Sequence, residues 1–540
     1  MSILESPLGE RLKSQQQGIS LLKSFFFLPL LLVVLAEIAT SMFLNGNHLV
    51  YTLDDPYIHL ALAKNIHSGT YGINAGEFSA PSSSILWPFI FALVPSSMPG
   101  WDLLPLFFNL LAVFVTGSIF LRIWSVDRSD TPVQLFLFGI LVAVAINAAG
   151  LVMAGMEHGV QVAATAVGVW GLVEFERTDR FPRIASLALA VGSLIRYENF
   201  AITLCACTYL AIMGRWKTAL VTFLPPVIIA MAFSFWLVAH GYKALPNSVL
   251  AHSDFSSVIG RLHKGAALSA CLTIALNIWY NLCNPKAWTL LLISMPVFIR
   301  SLFPRSESER RLSLFALGCV VLHLIGGHFG WYARYEIYIF SVVLILSTSF
   351  YSRFIREALN INKGSNGVQY VRVASLLVLV LLLFYDYVGV LITVPVASND
   401  IYLQQYQMAR FVRDFWRSPV GVNDLGMVAL RSNSYVLDFA GLASQEALFA
   451  LSEEPRDHQW MEKLAKSHNV NLVMIYTIDF PDIPKNWTLV GRLRLNVPLI
   501  TPANDVVDFY IRDPSLINTL KGELQTFSRS LPEGASLEII

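Results

Sequence analysis

Charge is the scarcest property of this chain. Only 14% of its 540 residues are Asp, Glu, Lys or Arg, while 55% are hydrophobic, and the mean hydropathy is +0.56. Soluble domains carry about 25% charged residues, so the composition excludes a wholly soluble protein and describes a polytopic membrane protein with a modest soluble part. A formal net charge of +1 leaves no electrostatic footprint for nucleic acid. Cysteine is scarce as well. The five thiols, Cys205, Cys207, Cys271, Cys283 and Cys319, lie in apolar segments without metal-ligand spacing and read as small core residues. A Cys271–Cys283 bridge stays open if that segment lies outside the membrane. Internal repeats and low-complexity tracts are absent. The first apolar run, 24–44, is too long for a cleaved signal peptide and lacks a small-residue cleavage site.

What the chain has in abundance is apolar sequence of membrane-crossing length, about 20 residues per run. Such runs fall at 24–44, 103–123, 133–150, 156–174, 183–196, 199–213, 218–239, 286–303, 312–329, 334–351 and 372–395. Two others are ambiguous: 84–98 is broken by Pro88 and Pro95, with Pro99 just beyond, and 266–284 contains Asn277, Asn281 and Asn284. Cytoplasmic loops carry the excess of Lys and Arg. If both ambiguous runs stay on the outer side, alternate loops collect Arg11, Lys13, Lys23, Arg122, Arg128, Arg177, Arg180, Arg183, Arg215 and Lys217. The same set continues with Arg300, Arg305, Arg310, Arg311, Arg353, Arg356, Lys363 and Arg372, whereas the other side keeps Lys64, Arg196, Lys243, Arg261, Lys264, Lys286 and Arg334. This predicts about eleven transmembrane helices, with the N-terminus in the cytoplasm and the C-terminus outside. Residues 1–397 then form the transmembrane domain, with 46–102 as its first outer loop. Residues 398–540 are more polar and carry β-like runs at Val436–Phe439, Leu472–Ile478, Trp487–Leu493 and Val506–Arg512, with a helical stretch at Gln459–His468. They predict a small extracytoplasmic α/β domain.

Against this background the adjacent acids Asp54 and Asp55 stand out, because a carboxylate at a membrane surface is unfavourable unless hydrated or paired. Asp55-Pro56 reads as an N-cap followed by proline at the first helical position, opening a helix from Pro56 to about Ser68. Capping is then a sufficient role for Asp55, and Asp54 becomes the expected reactive acid. Three other turns fall on the same side: Gly155-Met156-Glu157, Arg196-Tyr197-Glu198 and Arg334-Tyr335-Glu336. One such turn alone is an interfacial ion pair or a snorkelling arginine. Together they describe a shared polar cavity, in which arginines hold a phosphate and a carboxylate acts as base.

Asp54-Asp55-Pro56-Tyr57-Ile58, followed by Asn65, Gly69, Gly76-Glu77 and Ser83-Ser84-Ile85-Leu86-Trp87, resembles the first outer loop of bacterial GT-C superfamily glycosyltransferases. The nearest pattern belongs to mannosyl- and arabinofuranosyltransferases that use polyprenyl-phosphate sugars. Gly155-Met156-Glu157 is similar to that group's G-M-E turn. Leu194-Ile195-Arg196-Tyr197-Glu198-Asn199 is similar to L-x-R-P-E-G, with Tyr197 for proline and Asn199 for glycine. His240 to Ser248, Arg334-Tyr335 and the stretch from Asn423-Asp424-Leu425-Gly426 to Asp438-Phe439-Ala440-Gly441-Leu442 complete the resemblance.

The resemblance implies a GT-C-like polytopic helical fold in a bacterial inner membrane. It also implies an inverting glycosyltransferase that moves a sugar from a polyprenyl-phosphate donor to a glycan, lipid or protein acceptor of the cell envelope. Asp54 and Asp55 would be catalytic. Arg196, Arg334, Glu157, Glu198, Asn247, Lys64 and His59 would bind donor phosphate or sugar. No cofactor is required by it, and a divalent cation is compatible with it, although the acids are too dispersed in sequence to argue for a metal site. A transporter or flippase of a lipid-linked glycan would also use many spans and an arginine-lined cavity. It would favour internal repeats, which this chain lacks.

Overall fold

The computed structural model describes residues 7–127, 129–252, 267–361, 367–452, 459–481 and 483–540. Arg128, Arg261, Lys264 and Lys363, used in the loop comparison, lie outside the described residues.

Each of the eleven apolar runs is helical. Among the described residues four helices are long and apolar enough to cross a membrane unaided, Ser20–Leu44, Trp101–Trp124, Trp216–Ala239 and Ile337–Ala358, and the number reaches seven if each of three bent pairs counts as one span. The chain is therefore a multi-pass membrane protein, with fewer self-sufficient spans than the run count predicts. The shortfall has physical causes. Arg183–Ile195 and Asn199–Ile212 are short helices of 13 and 14 residues, and Glu307–Gly326 opens on Glu307, Glu309, Arg310 and Arg311. The ambiguous run 84–98 forms only the six-residue helix Trp87–Ala92, a rise of roughly 9 Å that spans nothing. The other, Ala267–Cys283, joins Pro285–Leu302 at a bend of 82°. All five cysteines are free. Cys271 and Cys283 share one helix, roughly 18 Å apart along its axis, which rules out the bridge.

The loops richest in arginine touch one another at one end of the bundle. Arg311 pairs with Glu176 at 2.6 Å, Arg356 with Asp130 at 3.0 Å, and Arg215 with Asp179.

Beyond the bundle lies a six-stranded mixed sheet: β1 Val420–Val422, β2 Val436–Asp438, β3 Leu472–Ile475, β4 Thr488–Leu495, β5 Val506–Ile511 and β6 Ala535–Ile539. Its order is β2-β1-β3-β5-β4-β6, with β1 parallel to β2 and β3 and the remaining pairs antiparallel. The Tyr385–Leu403 helix runs straight through position 397. The sheet does not stand apart from the first outer loop. Tyr51, Tyr57, Trp87 and Phe91 of the loop share one continuous core with Val422, Met427, Met474 and Phe509. The outer edge of β2 is closed by the loop too, because the Asn74 side chain exchanges two 2.9 Å hydrogen bonds with the backbone N–H and C=O of Val436. An unpaired strand edge is thereby covered.

Candidate active site

Four turns converge where the bundle meets the sheet domain. The first is the Asp54-Asp55 junction. The helix that follows begins at Asp55 and ends at Ile66, with Pro56 in its first turn. Asp55 is thus one residue inside the helix and does not cap it. Its carboxylate accepts from Arg334 Nη2 at 2.7 Å, and the side chain stays 36% exposed. Asp54, expected to be the free acid, accepts from the amides of Gly426 (2.6 Å) and Met427 (2.8 Å) through its two oxygens. Neither carboxylate caps the helix: Asp54 binds amides of a distant turn, and Asp55 faces the arginine.

The second turn carries Glu157. A Cβ at Gly155, whose φ is +67°, would lie 2.7 Å from the Tyr51 ring and 3.0 Å from Pro56; only glycine lets this turn approach the outer loop so closely. Glu157 is fully buried. Its Oε1 accepts from Arg196 Nη1 (3.0 Å) and from Ser83 Oγ (3.1 Å). His59 Nε2 lies 3.6 Å from Oε2.

The third turn, between Arg183–Ile195 and Asn199–Ile212, supplies Arg196. Its Nε and Nη2 donate to Glu198 at 3.0 and 2.5 Å, and its Nη1 is shared between Glu157 and Ser83. Every guanidinium nitrogen is engaged.

The fourth turn is the most strained. Trp331, Tyr332 and Ala333 have φ values of 44°, 60° and 52°, and each left-handed non-glycine residue costs about 1–2 kcal/mol. Asn147 Nδ2 holds the Ala333 carbonyl at 2.9 Å. Glu336 closes the loop by accepting from the Gly330 amide at 2.9 Å, and Lys286 pairs with the same carboxylate at 3.0 Å. The turn sets Arg334 against Asp55 with its side chain 3% exposed. Its Nε and Nη1 are buried without a hydrogen-bond partner, which a native fold rarely tolerates without a reason. Both guanidinium groups sit over the Tyr335 ring, Arg196 at 5.5 Å and Arg334 at 5.2 Å from its centroid.

The structure thus joins Asp55, Glu157, Glu198, Arg196, Arg334 and His59. Lys64 and Asn247 stand apart. Lys64 donates to the Leu430 carbonyl at 3.3 Å, and Asn247 donates to the Gly441 carbonyl at 3.2 Å; both tie the sheet domain down. Burial pushes the His59 imidazole below its usual range despite Glu157 beside it, so it stays neutral and offers a hydrogen bond through Nδ1 to Ser82 (3.2 Å) rather than a charge. Burial and the neighbouring Asp424 push the Asp54 carboxyl up to about 8 against the pull of its two amides. Burial also raises Asp424. Among the described residues no three His, Cys, Asp or Glu side chains gather so as to hold a metal ion.

Sequence reasoning passes over Asn147, Tyr335 as a shared platform, and the Asp424–Gly426 turn as part of the site. Asp424-x-Gly426 and Arg334-Tyr335 both belong to the resemblance, which gives neither Asp424 nor Tyr335 a role. Nothing local in Trp331-Tyr332-Ala333 announces a left-handed turn.

Residues 399–510 match the model of a family described as a domain of unknown function (DUF8728). No curated protein matches the chain. Among solved structures it is similar to the Archaeoglobus fulgidus oligosaccharyltransferase in its apo form, at 14% identity and a TM-score of 0.46, over 92% of this chain and 78% of that one. The same enzyme in complex with Zn and sulfate aligns at 13% identity and 0.46, over 94% and 75%. The A. fulgidus oligosaccharyltransferase AglB with an inhibitory peptide and a dolichol-phosphate aligns at 14% and 0.43, over 83% and 69%.

Proposed function

We propose that this protein is a GT-C-like inverting glycosyltransferase that moves a sugar from a polyprenyl-phosphate donor to an acceptor hydroxyl of the cell envelope. The reaction takes place on the outer side of a bacterial inner membrane. One observation carries the proposal: a buried arginine, Arg334, has two unpartnered guanidinium nitrogens beside a partly exposed carboxylate, Asp55. A fork of free N–H donors on a buried side chain suits a phosphate. Arg196 cannot serve in the same way, because Glu157, Glu198 and Ser83 already occupy it; it shapes the cavity and holds Tyr335.

In this mechanism the donor phosphate docks on Arg334 with its lipid tail along the apolar helices. The acceptor hydroxyl approaches from outside, and the Asp55 oxygen not held by Arg334 takes its proton. The hydroxyl oxygen forms a bond to the anomeric carbon as the carbon–oxygen bond to the phosphate breaks. The bonding pair leaves on the lipid phosphate, whose negative charge Arg334 neutralises. Attack from the face opposite the leaving group inverts the anomeric configuration. Electrostatic stabilisation of this kind commonly contributes about 3–4 kcal/mol per donor removed.

The test is transfer by protein reconstituted in lipid nanodiscs from a radiolabelled polyprenyl-phosphate sugar. The expected result is a labelled product with inverted anomeric configuration from the wild type and none from Asp55→Asn. Movement of the lipid across vesicles without transfer would overturn the proposal in favour of a flippase.

A further inference from the structure

The acid next to Asp55 is held by the far end of the chain. The amides that bind Asp54 belong to Gly426 and Met427, 372 and 373 residues away. The approach is close enough that a Cβ on Gly426 would lie 2.2 Å from the Asp54 carbonyl oxygen and 2.9 Å from its Oδ2. The turn behind these amides is itself braced. Asp424 accepts from Tyr476 Oη at 2.6 Å and from Gln405 Nε2 at 2.7 Å, and the Tyr476 amide donates to Asn423 Oδ1 at 3.1 Å. Met427, Val428 and Leu425 are buried. On the other side, the Asp54 carbonyl accepts the Tyr57 amide at 3.1 Å. Asp54 is therefore held from two sides by three amides, while the carboxylate of Asp55, the next residue, accepts from Arg334.

We infer that the Asn423–Met427 turn of the sheet domain is a positioning element of the active site, gripping Asp54 and so fixing Asp55 against Arg334. This gives a role to the segment that matches a domain of unknown function, and it rests on the assignment of Asp55 made above. Gly426 and Asp54 are positioning residues in this scheme. They touch neither donor nor acceptor.

Full-length protein in nanodiscs tests it, with Gly426→Ala and Asp54→Asn as variants. Gly522→Ala serves as the control, since a Cβ there meets nothing within 4 Å. Both test variants should lower kcat at least tenfold while leaving donor KM within about twofold. Hydrogen exchange of the amides at 426–431 should accelerate in both, with the bundle helices unchanged, and the control should behave as wild type. Unchanged exchange at 426–431 in Asp54→Asn overturns the clamp, whatever the chemistry. A parallel loss of kcat, donor affinity and thermal stability in Gly426→Ala also overturns it, because that describes general unfolding. Full transfer by Asp55→Asn sinks the assigned function instead, and leaves the exchange result to judge the clamp alone.

Discussion

Two arginines over one tyrosine ring differ in what already holds them. Arg196 is balanced by Glu157 and Glu198, so its loss strands two carboxylates, one of them fully buried. Breaking a buried pair from one side typically costs about 3–5 kcal/mol, and Arg196→Gln should lower the melting temperature strongly, as differential scanning calorimetry would show. Arg334 has spare donors, since its bonds to Asp55 and the Tyr335 hydroxyl both use Nη2. Arg334→Gln should fold, yet raise donor KM at least tenfold, and Arg334→Lys should restore only part of the loss because a point charge replaces a fork. Unchanged donor kinetics in both would remove Arg334 from the phosphate site. His59 gives a pH test. Its folded pKa lies below the ordinary value of 6.5, so below about 6.5 the unfolded chain binds a proton that the folded chain refuses. Stability is then lost as the pH falls through that range, and His59→Gln should flatten the decline in a series of melting curves.

At the scale of elements, close approach decides what survives substitution. Gly155→Ala must drive a methyl group into Tyr51 and Pro56, separating the Glu157 turn from the outer loop. Transfer should fall at least tenfold, and the tryptophan fluorescence of the fold should persist. Much at this level was legible in the chain. The apolar runs marked their helices, the prolines of 84–98 marked an interrupted run, and the β-like runs at Val436–Phe439, Leu472–Ile478, Trp487–Leu493 and Val506–Arg512 marked β2, β3, β4 and β5. The rest was not legible for physical reasons. The three-residue β1 carries a glycine at its centre and is ordered by its neighbours on both sides. β6 does alternate apolar and polar residues, Ala535-Ser536-Leu537-Glu538-Ile539, a period-2 signal that the β-like runs read from the sequence did not include. The contacts of Asp54 and Asp55 depend on partners 372 and 279 residues away, which no local spacing records. Hence an Asp-Pro pair that looks like a cap on local grounds yields its acid to Arg334.

For the whole molecule, sidedness is the open quantity that topology makes testable. A single cysteine placed at Arg529 in a background stripped of native thiols should react with a membrane-impermeant maleimide from outside. One placed at Arg353 should react only after the membrane is opened; the reverse pattern would invert the orientation. The common core of the 46–102 loop and the sheet bears on a different matter, the order in which a ribosome delivers the parts. Translation runs at about 5–20 residues per second, so roughly 20–70 s separate the emergence of Asp54 from that of Gly426. During that interval Tyr51, Tyr57 and Trp87 stand on the membrane surface without the strands that later bury them. The core of the loop is thus completed only once the strands of the sheet have been made.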